Sequence, residues 1–238
     1  SGASEYALHA AWSSLTYGEV AGKETLIWGG TDGFCYGYKN KTEKDADGYD
    51  LYQPIWKVDC NEPSYRKDKE GKKIPYATPP GPSELIGTPV LYKGKAYCAI
   101  GQDPEHGDGV GRLSCIDAKT GEVIWKYLDV GRTISTVSIA DDLVYLAEYA
   151  GIIHCIDANT GKVYWTHDSF SRIWGSTLVV DGKLILGNED GDLLIMDHGK
   201  TKPEVQTINM GAPVYSSPVV ANGVLYIGTQ THLYAIGK

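Results

Sequence analysis

Arg112-Leu113-Ser114-Cys115-Ile116-Asp117-Ala118-Lys119-Thr120-Gly121-Glu122-Val123-Ile124-Trp125 returns 40 residues later as Ile152-Ile153-His154-Cys155-Ile156-Asp157-Ala158-Asn159-Thr160-Gly161-Lys162-Val163-Tyr164-Trp165. Both copies run through strand-like alternation, a tight turn and a second short strand. Self-similarity at this period marks one small sheet stacked on copies of itself. The expectation is an all-β chain whose small antiparallel sheets are arranged radially. Within the turn, Asp117 and Asp157 are placed to accept backbone N–H groups, Thr120 and Thr160 to brace it, and Gly121 and Gly161 to relieve backbone strain. These aspartates therefore read as structural rather than catalytic. Trp125 and Trp165, with Trp56, offer large flat faces for packing between neighbouring repeats.

Working outward, the same pattern divides the chain into approximate repeats at 12–59, 84–129, 133–168, 173–210 and 213–238, within one domain or a fragment of one. Two-residue hairpin turns are expected at Lys93-Gly94, Asp141-Asp142, Asp181-Gly182 and Asn222-Gly223, where Asx-Gly pairs readily supply positive φ. Residues 60–83 interrupt the pattern with Pro63, Pro75, Pro79, Pro80 and Pro82 and predict neither strand nor helix of any length. A long insert of this kind is the first place to look for a partner surface. Small hydroxyl residues open the first strands, and Ser14, Thr88, Ser135, Ser176 and Ser217 are expected to line a common channel.

Composition narrows the function. Seventeen Tyr and 29 Gly against two Met and two Phe suit short strands and sharp turns. The net charge of −8 carries no long basic run, which argues against nucleic acid as partner. No apolar stretch approaches the roughly 18 residues that a bilayer span requires. Five cysteines, Cys35, Cys60, Cys98, Cys115 and Cys155, form no CxxC or adjacent pair, and their odd number leaves at least one without an intrachain partner. Cys115 and Cys155 read as small buried thiols.

Chemical motifs are sparse. The six histidines lack an HExxH pattern, no Gly-x-Ser-x-Gly elbow occurs, and Gly29-Gly30-Thr31-Asp32-Gly33 lacks the lysine of a phosphate loop. Asn188-Glu189-Asp190-Gly191-Asp192 and Asp103-Pro104-Glu105-His106-Gly107-Asp108 cluster oxygen ligands suited to a hard cation such as Ca²⁺, and each also reads as a solvated turn.

The Asp-Ala-x-Thr-Gly-x-x-x-Trp motif, following Gly-x-(Val/Leu)-Tyr hairpins, resembles the repeat of the pyrroloquinoline-quinone (PQQ) enzymes, of the outer-membrane assembly propeller lipoproteins and of PQQ-like repeat proteins of planctomycete-type bacteria. The resemblance implies a β-propeller of four-stranded antiparallel blades, about five of them in this chain, either as a closed ring or as part of an eight-bladed propeller. Glu5-Tyr6-Ala7-Leu8 is the expected fourth strand of the last blade. It also implies a periplasmic, cell-envelope or secreted location. An active quinone dehydrogenase would carry an adjacent Cys-Cys pair, a Ca²⁺ ligand set and a catalytic aspartate. No adjacent cysteines exist, so no catalytic, cofactor or metal residue is assigned and PQQ is not expected. The expected function is a noncatalytic scaffold that binds another protein or the remainder of a larger propeller, with Tyr65, Tyr76, Arg132, Arg172 and Trp174 as contact residues. The alternative is a degenerate PQQ-type oxidoreductase or carbohydrate-active propeller using the channel.

Overall fold

The computed structural model describes residues 7–8, 10–76, 78 and 80–237. It is nearly all-β and falls into two compact units, Ser1–Ile134 and Ser135–Lys238. The first unit holds two four-stranded antiparallel sheets: β1 (Leu15–Val20), β2 (Lys23–Gly29), β3 (Phe34–Lys44) and β4 (Asp50–Asp59), then β5 (Val90–Tyr92), β6 (Lys95–Ile100), β7 (Arg112–Asp117) and β8 (Val123–Tyr127). The second holds three sheets: β9 (Ser138–Ala140), β10 (Leu143–Ala147), β11 (Ile152–Asp157) and β12 (Val163–Asp168); β13 (Leu178–Val180), β14 (Lys183–Gly187), β15 (Asp192–Asp197) and β16 (Val205–Asn209); and the three-stranded β17 (Val219–Ala221), β18 (Val224–Gly228) and β19 (Leu233–Ile236). Every sheet is an up-and-down meander, the form of a propeller blade. Of the segment expected to complete the last sheet, Glu5 and Tyr6 lie outside the described residues, while the Leu8 N–H donates to the Thr31 carbonyl of the first sheet (2.9 Å).

Alternation decides which sheet each side chain faces. In β14, Leu184 and Leu186 join the cluster with Leu143, Tyr145 and Ile173, whereas Ile185 joins Leu193, Val214 and Ile227. A middle strand flanked by sheets on both faces is apolar along its buried length, which is why Leu184-Ile185-Leu186 reads as a continuous run. Hairpins β9–β10, β13–β14 and β17–β18 turn through residue pairs with positive φ, Asp141-Asp142, Asp181-Gly182 and Asn222-Gly223, matching the right-handed twist of the flanking strands.

Outer-strand tryptophans join neighbouring sheets within a unit. Trp56 pairs with Gly37 on its own sheet, where a Cβ would collide with the indole, and its Nε1–H donates to Ala118 O in the Asp-Ala-x-Thr-Gly turn of the next sheet (2.9 Å). Trp165, opposite Cys155, donates to Gly199 O of the following sheet (3.0 Å). The small residue beneath each indole leaves room for the ring, and the turn carbonyl satisfies its buried N–H. The turns themselves are Asx turns. Asp117 Oδ1 accepts from the N–H groups of Lys119 (2.8 Å) and Thr120 (2.9 Å), and Asp157 Oδ1 from those of Asn159 and Thr160 (2.9 Å each), with Gly121 and Gly161 at φ 78° and 73°. Partial burial raises both carboxyl pKa values, but these donors, joined at Asp157 by the Tyr164 hydroxyl, hold them below the usual range.

The insert departs from expectation. Residues 60–83 contain a four-residue helix, α1 (Pro63–Arg66), and a narrow loop closed by a Lys67–Lys73 bridge. Its base is pinned: the Asn61 side chain donates to Ser83 O and accepts from Ser83 N (2.8 Å each), and Arg66 forks onto Asp59 (2.7 and 3.0 Å) while reaching Asp32 O (2.7 Å). Pro63 starts the helix because the first turn needs no N–H from it.

Candidate functional site

The first-strand hydroxyls are clasps between sheets. Ser14 N donates to Thr88 Oγ1 (3.2 Å), Thr136 N to Ser176 Oγ (2.9 Å) and Ser176 N to Ser217 Oγ (2.7 Å). Each of these amides at the head of a first strand thus finds the hydroxyl of the following sheet. Ser135 does not share this role. It is 3% exposed and donates to Ala147 O (2.7 Å), as Ser216 does to Gly228 O (2.9 Å), so the residue equivalent to Ser176 and Ser217 is Thr136.

The two acidic turns are closed on themselves. Asn188 accepts from Asp192 N through Oδ1 (2.9 Å), and Asp103 Oδ1 accepts from Glu105 N (2.9 Å) at the head of the turn Pro104–His106. Among the described residues no group of three or more His, Cys, Asp or Glu side chains is arranged to hold a metal ion. A tricarboxylated quinone would call for buried cationic partners, and the one buried guanidinium among the described residues, Arg112, is ion-paired with Glu62 (2.9 Å). Together with the lack of adjacent cysteines, this set does not fit PQQ.

One titratable cluster sits at the foot of the insert. Glu84 is fully buried, exchanges two backbone hydrogen bonds with Gly101 (2.9 Å each) and accepts from the Tyr76 hydroxyl (3.0 Å). Burial, with Asp103 adding to it and Tyr76 and His106 opposing, pushes its carboxyl up to about 7. The folded state therefore holds a proton that the unfolded chain releases near the ordinary carboxyl range, so the contribution of Glu84 to stability is greatest below that range and falls as pH rises towards 7. Glu84→Gln is expected to remove most of this slope, gaining on the order of 3 kcal/mol relative to wild type at pH 8 and little at pH 4.5, measured by urea denaturation at the two pH values.

Of the residues expected at a contact surface, three are engaged internally. Tyr65 packs against the first-unit core, Tyr76 is bonded to Glu84, and half-buried Arg132 donates to Gly107 O. The other two lie together on the loop between β12 and β13. Trp174 stands edge-on to Tyr149 (5.1 Å between centroids) and to Tyr215 (5.7 Å), and Arg172 lies over the Tyr149 ring (5.6 Å) beside Glu189 (3.8 Å). The same loop carries Phe170, which the sequence reading missed. It is 88% exposed and adopts φ 57°, with its N–H on Asp168 Oδ1 (2.7 Å). The detectable signal was an apolar residue two positions after an Asx-turn aspartate, in a chain with only two phenylalanines.

Among solved structures the chain is similar to BamB from Moraxella catarrhalis, with a TM-score of 0.65 at 15% identity over 92% of this chain and 57% of that one. It is also similar to a chain of a mitotic checkpoint complex, with a TM-score of 0.64 at 13% identity over 94% of this chain and 61% of that one. A quinohemoprotein alcohol dehydrogenase from Comamonas testosteroni follows at 0.50 and 20% identity, covering 61% of this chain and 29% of that one. At such identities the likeness is one of fold, and the chain spans 57% and 61% of the lengths of the first two. No curated protein sequence matches it. The family model described as outer membrane protein assembly factor BamB matches residues 109–237. With more than half of its length matched, the chain belongs to that family of PQQ-like propeller repeat proteins.

Proposed function

We propose that this chain is a noncatalytic propeller scaffold of the cell envelope, and that it binds another protein through the β12–β13 loop, with Phe170 and Trp174 as anchors and Arg172 as the charged contact. The observation that carries the reading is Phe170. A non-glycine residue in left-handed backbone costs about 1–2 kcal/mol, and this side chain recovers none of that inside the chain, being 88% exposed. A glycine would make the same turn without that cost, which supports a use for the ring outside the chain. Aromatic side chains beside an arginine are the residue types that dominate interface energetics. The family's description as an assembly factor supports both the scaffold role and the envelope location.

The test is photo-crosslinking in the native host, with a benzophenone amino acid at position 170 and, as control, at exposed Asp141. Discrete protein adducts are expected at 170 only, reduced at least about fivefold by Arg172→Glu. No adduct at 170, or equal adducts at both positions, would refute the surface. The enzyme reading rests on the PQQ-like repeat and the dehydrogenase likeness, and stoichiometric uptake of PQQ with alcohol-dependent turnover would establish it instead.

A further inference from the structure

Every cysteine is buried and free, but three of them meet in the first unit. Cys60, just past the end of β4, has its sulfur 3.6 Å from that of Cys98 on β6, and Cys35 on β3 is buried in the same cluster. Arg112, itself 3% exposed, is the one nearby charge favouring both thiolates, but the Cys98 thiol and burial hold Cys60 well up, and the Cys35 thiol and burial hold Cys98 well up against the opposing effect of Cys60. Cys60 and Cys98 lie on adjacent sheets, 38 positions apart, and the whole proline-rich insert falls between them.

We propose that Cys60 and Cys98 form a structural disulfide when the chain folds in the presence of a small-molecule or protein disulfide. The two sulfurs, 3.6 Å apart, are already in van der Waals contact, and the bond brings them to about 2.05 Å. With glutathione disulfide as oxidant, one protein thiolate attacks its S–S bond, releasing one glutathione thiolate and leaving a mixed disulfide. The second protein thiolate then attacks the protein sulfur and releases the second glutathione. Two protein S–H bonds and one glutathione S–S bond are lost, one protein S–S bond and two glutathione thiols are gained, and two electrons pass to glutathione. Since Cys60 is 0% and Cys98 2% exposed, glutathione reaches neither once the sheets have packed, so the bond is set during folding and then shielded. It ties the two sheets together and closes the loop that carries the insert. Cys35, in the same buried cluster, is the competing thiol.

The test refolds the full chain in a mixture of reduced and oxidised glutathione, alkylates remaining thiols after denaturation and maps peptides by mass spectrometry. A Cys60–Cys98 linked peptide is expected, with Tm about 5–10 °C above that of the chain refolded under reductant. Cys35→Ser should keep both the linked peptide and the Tm difference, and Cys60→Ser should lose both. Alkylation of all five cysteines in the wild-type chain refolded with oxidant, or a map dominated by a Cys35–Cys98 link, overturns the proposal, and the wild-type map decides it even if a variant fails to fold.

Discussion

An alanine at position 165 is expected to lower the unfolding free energy by about 3–5 kcal/mol, measured as a shift of the urea midpoint followed by circular dichroism. Trp165 is 5% exposed, packs at 5.9 Å from the Tyr145 ring, belongs to the cluster with Leu184, Leu186 and Met196, and donates its indole N–H to Gly199 O. Truncation leaves a cavity between two sheets that small neighbours such as Cys155 cannot fill. It also leaves the Gly199 carbonyl without its indole donor. Trp165→Phe separates the two effects: it retains most of the volume and loses the hydrogen bond, and should cost about 1–2 kcal/mol. Trp12→Ala, at a residue 53% exposed, should change the midpoint by less than about 0.5 kcal/mol equivalent. Equal losses at positions 12 and 165 would show that the indole does not join the sheets.

Gly111→Ala is expected to be at least as damaging to the first unit, by about 3 kcal/mol or more, and to lower the yield of folded protein. A Cβ there would be driven into the backbone of Gly131 and the carbonyl of Val130, and the Val110–Gly131 bridge holds the two segments in register. Backbone on the opposing side cannot rotate away as a side chain could. Gly22→Ala is the control, since nothing lies within 4 Å of its Cβ position and only the strain of φ +75°, about 1 kcal/mol, remains. Comparing the thermal midpoints of the two variants isolates the clash from the loss of glycine.

What could be read from the chain alone follows from distance along it. The Asp-Ala-x-Thr-Gly turn is a local device, with donors two and three residues from the aspartate, so its geometry is written in adjacent letters. The acceptor of each indole is not: Ala118 lies 62 residues from Trp56 and Gly199 lies 34 from Trp165, beside a turn that has lost its Ala and Thr. Ser135 and Thr136 show the limit of register. Both carry hydroxyls, and a one-residue shift exchanges a strand brace for a clasp between sheets. Tyr65 and Tyr76 looked like surface anchors because a proline-rich insert suggests solvent, yet Asn61, Arg66 and Glu84 fold that insert back onto its base. Phe170 escaped notice because a single loop phenylalanine has no periodicity, and only its φ and exposure distinguish it.

Indole N–H exchange measured by NMR on the ¹⁵N-tryptophan-labelled chain, with resonances assigned from single Trp→Phe variants, tests most directly whether these sheets are coupled through their outer strands. Trp56 and Trp165, each donating to a carbonyl of the next sheet, should exchange at least about 100-fold more slowly than exposed Trp12. Exchange of all six indoles at one common fast rate would contradict the sheet-to-sheet packing on which the scaffold and its loop surface depend.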